Sequence, residues 1–307
     1  MNNTIFILGA AITDLMAFPY SHPAPTDSVP GSITKAAGGV GRNLAENLAR
    51  LGVSVELLTA FGDDGNGKKL LAECQELEIG IRHSILANGH KGAIHLAIMD
   101  AKKDLFAGVA DLSVMAHITP AYLAQQKAAI EQAHSLVLET NLPQETIDWV
   151  LEQEWEIPLY LDPVSEQLSK RVKGSIGKFH TIKANKRQAE VLLGRGILHA
   201  KDLDKVADKC LNKGVKRIFI TMGSRGAFAA DENSRIHIPA AKVKVANTTG
   251  AGDAFHAGLI WASLKNWSLE DCCRAGLAAS TIAIKSTAAI NSELTTSVLL
   301  EHIRKFC

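Results

Sequence analysis

Val245-Ala246-Asn247-Thr248-Thr249-Gly250-Ala251-Gly252-Asp253-Ala254-Phe255 is the stretch from which the rest of the chain can be read. Upstream, Lys242-Val243-Lys244-Val245 alternates as a short strand does. Downstream, Ala254 to Leu264 is rich in Ala and Leu, lacks proline and reads as a buried helix. The two glycines between them let the backbone turn tightly and approach a ligand. The first N–H groups of such a helix lack internal partners, and the helix dipole adds partial positive charge there. This is an anion hole, and Asp253 stands where an incoming phosphate would sit. Phosphoryl transfer accounts for both features. The N–H groups of Gly250, Ala251 and Gly252 would stabilise charge on the transferring group, and Asp253 would take a hydroxyl proton. The plainer alternative is an acid that stabilises a helix N-terminus. The glycines do not form a Walker A loop, because no Gly-Lys-Ser/Thr follows.

Working outward, 307 residues can bury one large α/β core or two modest ones. A formal charge of +1 creates no long-range field, so neither nucleic acid nor an acidic membrane is expected as a partner. No apolar run approaches the ~20 residues that span a bilayer. Met1-Asn2-Asn3-Thr4 lacks the basic segment of a signal peptide. Five cysteines (Cys74, Cys210, Cys272, Cys273, Cys307) show no metal-ligand spacing and suit a reducing compartment. A cytoplasmic protein is expected.

Thr4 to Ala10 is a compact apolar run, a buried parallel strand, and Asp14 follows in the crevice beyond its end. Leu15 to Ala37 carries Pro19, Pro23, Pro25 and Pro30 and reads as a loop with two short strands at most. Gly38-Gly39-Val40-Gly41-Arg42-Asn43 leads into a helix with Leu44, Leu48 and Leu51 in register and Gly52 as its stop, again suited to a polar ligand. Val53 to Ala60 reads as a strand. Asp63 and Asp64 cap a helix from Lys68 to Leu77. Segments between Ile81 and Val109 read as antiparallel strands inserted into a parallel plan, with His83, His90 and His95 as ordinary strand or surface residues. From Pro120 onward strands and helices alternate, which argues for a parallel sheet with right-handed crossovers. Thr221-Met222-Gly223-Ser224-Arg225-Gly226 ends a strand in a glycine turn, suited to nucleotide phosphates or to a hairpin. Helices are expected over Leu269–Lys285 and Glu293–Lys305. The expected fold is therefore α/β, a central mostly parallel sheet flanked by helices.

With these pieces placed, the chain resembles the ribokinase-like (PfkB) carbohydrate and nucleoside kinases along its whole length. Gly38-Gly39-Val40-Gly41-Arg42-Asn43 and Thr248-Thr249-Gly250-Ala251-Gly252-Asp253-Ala254-Phe255 carry the resemblance, about two hundred residues apart and in family order. It implies a single kinase domain over residues 1–307, with a small β-sheet lid from about 15–37 and 81–110 and a homodimer through that lid. It implies that Asp14, Gly38, Gly39 and Asn43 hold the hydroxyls of a ribose-like ring and that Asp253 is the base. The turn with Thr221, Gly223 and Gly226, together with Asn185 and Asn291, would border the nucleotide. Magnesium-ATP would be the donor.

Two departures stand out. The family carries Asp where this chain has Asn247, so a monovalent cation held near Asn247 and Thr249, and hence potassium activation, is in doubt. Its Asn-x-x-Glu motif reads Asn185-Lys186-Arg187-Gln188-Ala189-Glu190, which leaves Glu190 as an indirect magnesium ligand. Within the family the wording is most similar to the pseudouridine kinases, through Gly38–Asn43, Asp162-Pro163-Val164-Ser165, and Asn247 with Thr249. Phosphorylation of the pseudouridine 5′-hydroxyl, feeding nucleoside breakdown, is the implied activity, with Thr13 or Lys91 against the base. Ribose, another nucleoside or a phosphorylated hexose are alternatives, the last needing cations such as Arg42 or Lys91. A catalytically silent sugar- or nucleoside-binding sensor is a reading from another class.

Overall fold

The computed structural model describes residues 3–23, 26–100 and 105–306; Met1, Asn2, Pro25, Asp104 and Cys307, which enter the sequence reading, lie outside them. The central sheet contains β1 (Ile5–Leu8), β4 (Val55–Leu58), β9 (Ser135–Glu139), β10 (Leu159–Asp162), β11 (Thr181–Asn185), β12 (Arg217–Thr221), β13 (Ala227–Ala230) and β14 (Arg235–Ile238). Its order is β14-β13-β12-β11-β10-β9-β1-β4. From β4 to β12 every pairing is parallel, and β13 and β14 add an antiparallel edge. A parallel sheet needs cover on both faces, and its strands alternate accordingly. Ile5, Ile7, Val137 and Phe219 join one apolar cluster, whereas Phe6, Leu8, Leu136, Leu138, Ile218 and Ile220 join the other.

The helices that supply this cover are α1 (Val40–Arg50), α2 (Gly65–Glu76), α3 (Pro120–Glu131), α4 (Gln144–Glu152), α5 (Glu166–Ser169), α6 (Lys186–Leu193), α7 (Ala200–Leu211), α8 (Ala251–Ser263), α9 (Leu269–Ala283) and α10 (Thr296–Ile303). Leu44 and Leu48 of α1, Phe255 and Leu259 of α8, and Leu277 of α9 lie in the first cluster; Ile147 of α4 and Val206 of α7 lie in the second. The four cysteines among the described residues are free and buried, as small core side chains. No helix among the described residues is long and apolar enough to cross a membrane.

Residues 15–37 hold longer strands than the loop with two short strands that the sequence suggests. They form most of β2 (Ile12–Pro19) and β3 (Gly31–Gly38), eight residues each and paired antiparallel from Ile12↔Gly38 to Pro19↔Gly31. The prolines do not oppose this, because Pro19 ends β2 while Pro23 and Pro30 lie outside both strands. With β7 (Ile94–Met99) and β8 (Leu105–Asp111) they build a second sheet of order β3-β2-β7-β8. The inserted strands are not all antiparallel, since β2 and β7 run parallel. Among the described residues of the second insertion, only β7 and β8 join this sheet. β6 (Ile85–Ala87) pairs instead with β5 (Ala60–Gly62), where the chain leaves the central sheet after Thr59.

Lys242–Val245 is not a strand. Pro239 follows the last strand residue, and the N–H groups of Ala246 and Asn247 bond to the Ile284 carbonyl at the end of α9. The alternation is real, but it serves a cleft wall rather than a sheet. Short 3₁₀ turns at Ser113–His117 and Lys170–Lys178 fill stretches where periodicity was silent.

Candidate active site

α8 begins at Ala251, so Asp253 lies in its first turn rather than before it. The N-cap is Gly250 at φ 78°, and a Cβ there would lie 1.9 Å from the Ala289 carbonyl oxygen. Only glycine fits this left-handed, crowded position. The Ala251 N–H does not point into the hole as expected: it turns back to the Thr248 carbonyl at 3.3 Å, closing a four-residue turn. Gly252 lines the cleft, with the Lys183 ammonium 3.0 Å from where its Cβ would stand.

Asp253 is 8% exposed, and its Oδ2 accepts a hydrogen bond from Asn43 Nδ2 at 2.9 Å. That bond closes a separation of 210 residues and joins the two glycine motifs in one site. Burial pushes the Asp253 carboxyl up to about 7; Lys183 and the Asn43 bond oppose this, while Asp162 and Asp14 add to it. A carboxylate with this proton affinity at the start of a helix is suited to general-base work near neutral pH.

Asn43 sits in the first turn of α1, whose N-cap Gly39 has φ 91°. Gly38 ends β3, and a Cβ on it would lie 2.0 Å from Asp14 Oδ2, so the Asp14 carboxylate rests on the glycine backbone. Asp14 Oδ1 pairs with His95 Nδ1 at 3.2 Å, and that bond holds the imidazole above its usual range against the opposing effect of burial. His95 is therefore not an incidental strand histidine. It anchors Asp14 across the β2–β7 pair, where the two residues stand opposite each other.

Other candidates are placed elsewhere. Thr13 is buried and, being adjacent to Asp14 in β2, faces the other side of the sheet. Arg42 is buried and paired with Glu46 at 2.8 Å and Glu73 at 3.4 Å, which turns it toward α2. Lys91 is exposed.

A cleft of about 970 Å³ opens beside Asp253, with Asn185, Thr221, Gly223 and Gly226 on its wall. The turn at Gly223–Arg225 is also the hairpin connection between β12 and β13. Asn185 caps α6: its side chain accepts the Gln188 N–H at 2.9 Å, and Gln188 Oε1 takes the Asn185 N–H at 2.7 Å. Gln188 thus replaces a carboxylate with a closed capping box.

Glu190, two residues further along α6, faces away from the cleft, because two residues turn a helix by roughly 200°. Its Oε1 accepts the Ile197 N–H at 2.7 Å and lies 3.6 Å from Lys186. Asn291 does not reach the nucleotide side either. Its amide donates to the Ile282 carbonyl at 2.8 Å and accepts from the Glu293 N–H at 3.0 Å, as a loop brace.

Asn247 staples two loops. It donates to the Thr287 carbonyl at 3.0 Å and accepts the Thr249 N–H at 3.0 Å, a neutral arrangement with no carboxylate for a monovalent cation. No group of three His, Cys, Asp or Glu among the described residues could hold a metal ion.

Two cleft residues, Asp162 and Lys183, and the buried His256 behind them carry charge or polarity to which the sequence alone assigns no role. Asp162 ends β10 and pairs with Lys183 of β11 at 2.9 Å, both at 6% exposure or less. His256 of α8, fully buried, places Nδ1 3.2 Å from the same Asp162 oxygen. Burial works against an ionised Asp162, yet Lys183 and His256 hold it well below the usual carboxylate range. A lysine inside the apolar run Thr181–Asn185 was the available signal for this pair. Glu139, opposite Asp162 in the sheet register, is also buried, and burial raises it to about 8. It accepts the Ala10 N–H at 2.9 Å and the Asn141 side-chain amide at 2.7 Å, bracing the floor where β1 ends.

Residues 2–296 match the pfkB family of carbohydrate kinases. The pseudouridine kinase of Escherichia coli is 30% identical over 94% of this chain and 93% of its own. A putative sugar kinase from Clostridium perfringens superposes with TM-score 0.87 at 30% identity, covering 99% and 96% of the two chains. The ribokinase of Thermotoga maritima has the same fold, with TM-score 0.87 at 20% identity over 98% of this chain and 99% of its own.

Proposed function

Since the chain belongs to the pfkB family of carbohydrate kinases, we propose that it transfers the γ-phosphoryl group of ATP to the 5′-hydroxyl of a nucleoside, with pseudouridine as acceptor. The observation that carries the reading is the Asn43–Asp253 bond at 2.9 Å, which sets a sugar-gripping amide directly on the base. The similarity to a pseudouridine kinase supports the acceptor. The engagement of Arg42 by two glutamates removes one of the two cations, Arg42 and Lys91, that a phosphorylated sugar could use.

In this reading Asp14, Gly38, Gly39 and Asn43 hold the ribose hydroxyls and aim the 5′-oxygen along the cleft. As that oxygen bonds to phosphorus, its proton passes to the Asp253 carboxylate, and the γ-phosphorus separates from the bridging oxygen of the departing ADP. The amides of Gly250 and Gly252 and the Lys183 ammonium balance the charge on the transferring oxygens. Asn185, Thr221, Gly223 and Gly226 border the nucleotide. Magnesium, bound with ATP, would neutralise the phosphate charge. The β3-β2-β7-β8 sheet serves as a lid that excludes water, the competing acceptor.

The lid face opposite Asp14 exposes Ile33, Leu96 and Val109, which suits pairing with a second copy in a cytoplasmic homodimer. Val109→Glu is then expected to sediment as a monomer; an unchanged dimer would place the interface elsewhere.

The activity itself is tested by ATP-dependent phosphorylation of pseudouridine, uridine, adenosine, ribose and fructose 6-phosphate, with magnesium and with or without potassium. Preference for pseudouridine supports the reading. Preference for another acceptor rejects it while keeping Asp253 as base. Binding without turnover favours the sensor.

A further inference from the structure

Asp162, Lys183 and His256 form a buried polar cluster from three separate elements, β10, β11 and α8. Asp162 Oδ2 receives both Lys183 Nζ at 2.9 Å and His256 Nδ1 at 3.2 Å, and Oδ1 receives the Val164 N–H at 3.1 Å. An ionised carboxylate only accepts, so His256 donates from Nδ1. Its Nε2 is buried without a partner, and burial lowers its affinity for a second proton. His256 therefore supplies a directed hydrogen bond and no charge. Burying such a cluster stabilises the fold less than apolar side chains of the same volume would. Its use lies in where it holds the ammonium, which is at the first turn of α8 beside Gly252 and Asp253.

We propose that His256 is a positioning residue: by fixing the Asp162 carboxylate it holds the Lys183 ammonium at the anion hole, where that ammonium meets the terminal phosphate of the donor. The inference rests on the kinase reading of this cleft. Without His256 the carboxylate loses one of its two side-chain donors, turns toward solvent or the strand ends, and takes Lys183 with it. His256→Leu removes the donor. His256→Asn restores it, because the amide nitrogen of Asn takes the place of Nδ1.

The test is calorimetric binding of magnesium ADP and of magnesium β,γ-imido-ATP to the full chain. Positioning predicts that His256→Leu loses about tenfold in affinity for the triphosphate, the scale of one charge-assisted bond. Affinity for the diphosphate should stay within about twofold on the same scale, and His256→Asn should recover most of the loss. Equal losses for both nucleotides, or no recovery with Asn, would overturn the proposal in favour of a purely structural histidine. Should His256→Leu fail to fold, Asp162→Asn, which keeps shape and removes charge, is read by the same ratio, and an unchanged ratio overturns it. These ratios need no turnover, so an acceptor panel that yields no product refutes the kinase reading separately.

Discussion

Replacing Asp253 by Asn tests the chemistry with little disturbance of shape. The amide oxygen can still accept from Asn43 Nδ2, which now stands 2.9 Å from the carboxylate, so α1 and α8 stay joined. What disappears is the proton acceptor. Loss of a general base costs about 10²–10⁴-fold in turnover, or ~3–5 kcal/mol of barrier. Stability should move the other way. Burial raises the Asp253 carboxyl from 3.8 to about 7, so above pH 7 the folded state carries a carboxylate that the unfolded state ionises more easily. At ~1.4 kcal/mol per pH unit the linkage costs at most about 4 kcal/mol. That cost is absent below about pH 4, grows as pH rises toward 7, and is absent in the Asn variant at every pH. The assay pairs coupled ADP release, with saturating pseudouridine, and urea unfolding at pH 5 and pH 8. Turnover down by at least about 10²-fold, with stability equal or higher at pH 8, is expected. Turnover within a few-fold of the parent would remove Asp253 from the mechanism. Marked unfolding at pH 8 would show that the carboxylate stabilises the fold, contrary to the linkage argument.

Three further outcomes follow from the site geometry. Because Asp253 must be ionised to accept a proton, kcat/KM should rise with pH through about 7. Asn43→Ala, which removes a bond to the charged form, should shift that limb upward, and a limb that stays in place would refute the assignment. Asn247→Asp supplies the carboxylate that the neutral staple to Thr287 lacks, so potassium activation should emerge or grow, measured as the ratio of rates with and without the ion. An unchanged ratio would mean that the loop, and not residue 247, sets cation dependence.

Much of this was legible in the chain. Ser135–Glu139, Gln144–Glu152, Lys186–Leu193 and Arg217–Thr221 fall where apolar periodicity puts them. The two glycine motifs mark helix starts because their chemistry is local: glycine alone takes the backbone of Gly39 and Gly250, whatever surrounds it. Asp253 was readable as an acid in an anion hole for the same reason. β2 and β3 are longer than the two short strands the sequence suggests, because an exposed sheet needs no binary pattern and its prolines sit at the ends. Thr13 was misplaced because its face depends on where β2 enters the second sheet.

What the sequence determined by itself, then, is the βα rhythm, the two glycine turns that start α1 and α8, and the acid in the first turn of α8. Tertiary structure alone decided which charges converge on them. Arg42 turns to Glu46 and Glu73, Glu190 to Ile197, and Asn291 to Ile282, while Asp162, Lys183 and His256 meet across two strands and a helix. Backbone conformation is dictated within a few residues, whereas the pairing of buried polar groups depends on strand register and helix packing between segments up to 210 residues apart.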